Sequence, residues 1–344
     1  MKIRLVKTLE GGETLAEPVI TEENEILISK GTVLKPEYLD LISFLGIDTV
    51  CIEDPYEPYE NAHSIICNEK WKEYIQKVQK ILENHIYHES GSLEGMKSLA
   101  KEIVEELEGI DDNCVIDMKE RNGNLYEHTV MVTILCVMTA RRLKVKQEVL
   151  YQIAVGSLLH DLGIRYITIP YINYDMEKSS ASELFEYKKH TILAYSALEG
   201  EEWLDAIAKK MILSHHERKD GSGFPLKQKN KELECNILQV CDMFDCLISG
   251  MECKRTSVQE ALEYLIETSD ILFEKRVVRV IQKMVAYYPT GTRVTLNTGE
   301  TGLIVEQTEN SIRPVIQVLD DNNQVTEQKY DLAKNKKISI LQVI

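Results

Sequence analysis

The stretch LLHDLGIRYITIP, residues 158–170, decides how the chain is read. An apolar run ends in the pair His160–Asp161, and the positive charge of Arg165 comes only after the apolar Ile164. Leu150, Ile153 and Ala154 recur at helical spacing ahead of the pair, so His160 and Asp161 continue the buried face of a helix. A carboxylate buried beside an imidazole is costly unless something pairs with both.

The same demand is repeated elsewhere. Ile207, Ala208, Met211, Ile212, His215 and His216 share one helical face, so both imidazoles point inward with the apolar side chains. His128 begins the apolar helix through Val132 and Leu135, and His190 lies in the same helical block. Asp242 follows Leu238 by one turn in NILQVCDMFDCLIS (236–249), a run too apolar for a casual carboxylate. His63, His85 and His88 fall in a linker or on a charged helix and read as surface residues. A lone inward histidine is usually a hydrogen-bonded core residue. Five of them with two inward carboxylates would cost several kcal/mol in all, at about 1–3 kcal/mol for each unsatisfied group. One or two divalent cations would satisfy them together. Imidazole and carboxylate without thiolate suit iron, manganese, zinc or similar ions. A His/Asp mixture in which Asp161 can bridge two ions favours a catalytic site over a closed structural zinc site.

The chain of 344 residues has room for two or three domains. Its formal charge of −16, from 40 basic and 56 acidic residues, excludes binding of duplex DNA or anionic membranes through the overall field. Uncharged stretches such as TVMVTILCVMTA (129–140) are too short to span a bilayer, and MKIRLVKTLEGGE has no signal-peptide core. Eight scattered cysteines without a CxxC pair read as small apolar residues in a reducing compartment, so the expected location is cytoplasmic.

The expected fold is mainly α, a helical bundle flanked by small β-containing units. Residues 1–60 read as a mixed α/β unit, with strands at KIRLV, EILIS and IDTVCIE and a helix at PEYLDLISFLG opened by Pro36. A linker is expected at 53–64, a helical connector at 66–110 and the main helical domain at 111–287. Within that domain helices are expected at 125–143, 147–163, 180–199, 202–217, 233–250, 257–268 and 271–287. Residues 288–344 read as two hairpins and a closing strand. The flanking units read as caps on the core and contacts compatible with a homodimer.

The ordered set His128, His160-Asp161, His190, HHE at 215–217, DGSGFP at 220–225 and Asp242 resembles an HD-GYP domain, a branch of the HD metal-dependent phosphohydrolases, over residues 110–287. The resemblance implies an all-α domain with two divalent ions, iron or manganese, and hydrolysis of the second messenger cyclic di-GMP to a linear dinucleotide or GMP. It implies His128, His160, Asp161, His190, His215, His216 and Asp242 as ligands, Asp161 as the bridge, and His160 and Asp161 as catalytic residues. Where some members carry a third-metal carboxylate, four residues before His128, this chain has Asn124, so two metals are expected.

The substrate-binding side departs from the family. The lysine of the usual HDxGK is Ile164 here, and the segment to Ile169-Pro170 is about two residues longer. GYP is GFP, so Phe224 keeps the ring without the hydroxyl. After VCDMFDCLISG, the usual arginine is Met251 and the following cation is Lys254. Each lost charge-assisted contact costs about 1.5–3 kcal/mol. Arg165 is open to two readings, turned inward in place of the lysine or solvated. The candidate substrate contacts are Arg165, Arg218, Gly223, Phe224 and Lys254, with Gly223 in a loop whose backbone can approach a ligand. Three functions stay open: a cyclic di-GMP phosphodiesterase, an HD hydrolase for another phosphodiester, and a metal-stabilised nucleotide sensor with little turnover.

Overall fold

The structure is a computed structural model describing residues 2–20, 26–54, 56, 65–86, 91–176, 178–229 and 231–344. Most of the expected linker at 53–64 lies outside these residues, as do His63 and His88.

The N-terminal unit pairs β1 (Lys2–Leu5) with β4 (Thr49–Ile52) and β2 (Val19–Ile20) with β3 (Ile26–Ile28), all antiparallel. Helix α1 (Pro36–Phe44) starts at Pro36, whose missing N–H would have no helical partner there in any case. Leu15, Leu34, Ile42 and Val50 form a core of its own. At the other end, β5 (Arg293–Leu296), β6 (Thr301–Glu306), β7 (Val315–Leu319), β8 (Val325–Asp331) and β9 (Ile340–Val343) make one antiparallel sheet in the order β8-β7-β6-β5-β9. Tyr56 packs on Leu303 and Leu319 of this sheet and donates its hydroxyl to the Asn323 carbonyl at 2.9 Å.

Between them lies the helical block: α2 (Asn68–Ile86), α3 (Gly95–Glu108), α4 (Leu125–Arg142), α5 (Gln147–Leu159), α6 (Ala181–Lys188), α7 (His190–Leu198), α8 (Ala206–Ser214), α9 (Leu233–Ser249), α10 (Val258–Glu267) and α11 (Lys275–Met284). These helices share one apolar core. Helix α4 packs on α5 and α9, and α5 on α8, with α7 against a 3-10 turn at Leu162–Tyr166.

Several helices are shorter than their periodicity predicts. The helix expected to run to 163 stops at Leu159, and the one expected over 180–199 is two helices broken at Lys189. The one expected over 202–217 is α8, ending at Ser214, and α11 is shorter than 271–287. The first three breaks have one cause. A helix leaves its last carbonyls without backbone partners, and a histidine just beyond each end supplies one. The Nδ1 of His160 meets the Ser157 carbonyl at 2.7 Å, that of His190 meets Tyr187 at 2.7 Å, and that of His215 meets Ile212 at 2.8 Å.

Candidate metal centre

Those three caps settle the tautomers. An Nδ1 that faces a carbonyl must carry the proton, which leaves Nε2 as a lone-pair donor. The three Nε2 atoms are aimed at one region, where the ends of α5 and α8, the starts of α4 and α7 and the middle of α9 converge. His128 reaches it from the first turns of α4. That helix is N-capped by Asn124, whose side-chain oxygen accepts from Tyr126 N and Glu127 N. All seven sequence-derived ligand candidates are buried and meet there.

They divide into two sets. In the first, His128 Nε2 lies 3.2 Å from His160 Nε2, 3.4 Å from Asp161 Oδ2 and 3.3 Å from Asp242 Oδ1. His160 Nε2 is 3.4 Å from Asp161 Oδ2 and 3.5 Å from Asp242 Oδ1. Donors bound tetrahedrally at about 2.0–2.2 Å sit roughly 3.3–3.6 Å apart, so these four atoms are spaced as ligands of one ion. In the second set, His190 Nε2 lies 3.2 Å from His215 Nε2, and the other carboxylate oxygen, Asp161 Oδ1, is 3.5 Å from His215 and 4.0 Å from His190. His216 completes a buried triad with them. Asp161 thus turns one oxygen to each set, and neither oxygen has a hydrogen-bond partner. Asp242 Oδ2 is also without one.

Three residues missed in the sequence belong here. Asp245, one turn after Asp242, accepts from His128 Nδ1 at 2.7 Å and is held by Arg121 Nη2 at 2.6 Å. The paired aspartates of VCDMFD, three residues apart on one helical face, were the signal for it. Cys246 points its thiol at Asp242 Oδ1, 3.4 Å away. Glu252, 2% exposed, places Oε2 at 3.0 Å from His216 Nε2 and Oε1 at 3.8 Å from His190 Nε2. It follows α9 in a loop without periodicity, so no sequence pattern marked it.

The electrostatics differ across the centre. Burial disfavours the His128 imidazolium, but the facing carboxylates of Asp161, Asp242 and Asp245 outweigh it and raise its pKa well above the usual histidine value. His160 is raised for a similar reason, with Asp161 and Asp242 overcoming burial. Burial would raise Asp161 and Asp242, yet the surrounding imidazoles hold both well below the usual carboxylate range. In the second set burial wins. His190 is lowered to about 4 and His216 well below its usual value. Burial, with Asp161 and Asp242, lifts Glu252 to about 7.

The expected substrate contacts are distributed differently. Arg165 is exposed, as is Lys254. Arg218 is half-buried, donates to the carbonyls of His215 and Glu217 and stacks over Phe273 at 4.9 Å. Gly223 is buried because the DGSGFP loop folds back over the ligand segment. A Cβ there would overlap the backbone of His216, Glu217 and Arg218. Phe224 stacks on the His216 ring at 4.6 Å. Gly163 of HDLG serves a similar close approach, since a Cβ would overlap the His190 carbonyl. Ile164 and Met251, which stand where the HD-GYP resemblance implies cations, are both buried in one apolar cluster with Leu125 and Cys246.

An HD domain family model matches residues 78–277, more than half of the chain. The chain belongs to the HD domain family. Members of this family bind divalent metal ions, and the His/Asp clusters described above have the donor chemistry for them. Among curated relatives, a cyclic di-GMP phosphodiesterase of Pseudomonas aeruginosa is 29% identical over 196 residues, 56% of this chain and 47% of the relative. A cyclic di-GMP phosphodiesterase response regulator of Xanthomonas campestris is 32% identical over 163 residues, 46% of this chain and 43% of the relative. The chain thus spans less than half the length of each of these two. A solved HDG"Y"P protein from Bdellovibrio bacteriovorus has a TM-score of 0.49 and 17% identity, over 81% of this chain and 97% of that one. Among the described residues no helix is long and apolar enough to cross a membrane, and none of the eight cysteines forms a disulfide.

Proposed function

We propose that the chain is a cytoplasmic phosphodiesterase that hydrolyses cyclic di-GMP, to a linear dinucleotide or GMP, with two divalent ions, iron or manganese. The observation that carries this reading is Asp161, whose two partnerless oxygens face separate sets of imidazoles. His128, His160 and Asp242 would hold one ion and His190, His215 and His216 the other, with Asp161 shared. Such a pair supplies an activated water at neutral pH and neutralises charge developing on the phosphoryl oxygens. The protein's part is to fix donors. Backbone carbonyls fix the rings of His160, His190 and His215, and Asp245 fixes His128 and raises its basicity as a ligand.

One observation favours a second reading. Ile164 and Met251 form an apolar cluster where two cations would otherwise meet substrate phosphate. Leu125, Ile164 and Cys246 of that cluster each lie within about one helical turn of a donor along the chain. A different phosphodiester, or a nucleotide held without rapid turnover, suits this wall better than a substrate gripped by lysine and arginine.

The test is purification with Mn2+ or Fe2+, metal analysis, and incubation with cyclic di-GMP. Two ions per chain with release of a linear product supports the first reading. Two ions and tight binding without product selects the second. If Asp161→Ala combined with His215→Ala leaves the metal content unchanged, the ligand assignment is wrong.

A further inference from the structure

We propose that Glu252 is a ligand of the ion held by His190, His215 and His216. The inference rests on the two-ion reading above and extends it to a residue outside the family's motifs.

Four observations converge on this carboxylate. It is buried, and within 4 Å the ion-pair partners found among the described residues are imidazoles alone, those of His190 and His216. One oxygen accepts from the Tyr187 hydroxyl at 2.9 Å, while Oε1 has no hydrogen-bond partner. His216 Nε2 is only 3.0 Å from Oε2, yet the two make no hydrogen bond of acceptable geometry and that nitrogen is left without a partner. Two donors so placed point past each other toward a common third atom. Ligands on adjacent corners of an octahedron with bonds of about 2.1 Å are roughly 3 Å apart. Finally, ligand atoms of Asp161, His190 and Glu252 lie within 4.8 Å of one another.

The backbone shows what keeps Glu252 there. Its φ is +58°, a left-handed conformation uncommon outside glycine and its few tolerant substitutes. Two contacts impose it. Glu252 N donates to the Tyr171 carbonyl at 2.7 Å, and Asn173 N donates to the Gly250 carbonyl at 2.7 Å. Ile172 and Met251 form a bridge between them. The segment after Pro170 therefore straps the end of α9 and turns Glu252 inward while Lys254 stays outside. The consequence is chemical. The second ion gains a protein carboxylate at a position otherwise open to water or phosphate, and the centre carries one unit less positive charge.

The test separates the two ions by background. The metal-free full chain is titrated with Mn2+ by calorimetry and by electron paramagnetic resonance, with circular dichroism as the check on folding. H128A keeps the ion of the second set, and H216A keeps that of the first. Adding E252Q to H128A should weaken Mn2+ binding about tenfold or more, at least what loss of an outer-shell partner costs. Adding it to H216A should leave the affinity within about twofold of its parent, since no first-set donor touches Glu252. An unchanged affinity in the H128A background overturns the proposal, and so does equal weakening in both. A wild-type chain that takes up one ion only defeats the two-ion reading. Glu252 is then judged by whether E252Q weakens that single ion.

Discussion

The two donor sets are built from the same residue types, with a backbone carbonyl orienting His160 in one and His190 and His215 in the other, but they differ in what sets the basicity of their imidazoles. In the first, carboxylates grip the imidazoles: Asp161, Asp242 and the Arg121-held Asp245 keep His128 basic despite complete burial. In the second, backbone carbonyls orient His190 and His215, and burial leaves His190 neutral down to about pH 4. A metal ion entering the first set must displace a proton from His128, whereas His190 and His216 already present neutral imidazoles. One centre thus joins a basic His128 to the neutral His190 and His216 through the two oxygens of Asp161.

That contrast can be broken most severely at the joint. Asp161→Ala should deplete both sets and lower activity by more than about a hundredfold, beyond the usual loss of an outer-shell partner. Metal analysis beside a rate assay checks it, and retention of two ions would sink it. His128→Ala and His216→Ala should each remove one ion and spare the other, which splits the centre along the line drawn here. Metal-to-protein ratio is the readout. Asp245→Asn should weaken the first-set ion by about 10–100-fold and leave the second alone, because His128 is the one of the seven donors that leans on that carboxylate. Competition with a chelator measures it, and equal weakening of both ions would contradict the division. The smallest effect is expected at Arg165→Ala. An exposed arginine outside the donor sets should change rate and metal content by less than about twofold. A large loss of turnover with intact metal would return Arg165 to the substrate site.

Much of this was legible from the chain alone, and the reason is local. Helical spacing placed six of the seven donors in apolar runs, with His190 coming from the family resemblance, and an inward His or Asp without a local partner asks for a shared one. The helix ends were not legible, because His160 and His215 continue the apolar periodicity while their side chains, like that of His190, cap the preceding carbonyls. Periodicity registers which face a residue occupies and is blind to whether its imidazole replaces a backbone partner. The substrate contacts were the least legible, since Arg218 and Gly223 serve the backbone of the ligand segment.

By itself, then, the sequence determined the helical block, the flanking β-units and most of the buried donors, because spacing along one element carries each of these. The tertiary structure decided how those donors divide between two sets, and that Ile164 and Met251 close one apolar wall. It also brought Glu252 to His216 through a strap formed by Tyr171–Asn173. Those outcomes depend on contacts between segments far apart along the chain, and no periodicity along a single segment encodes them.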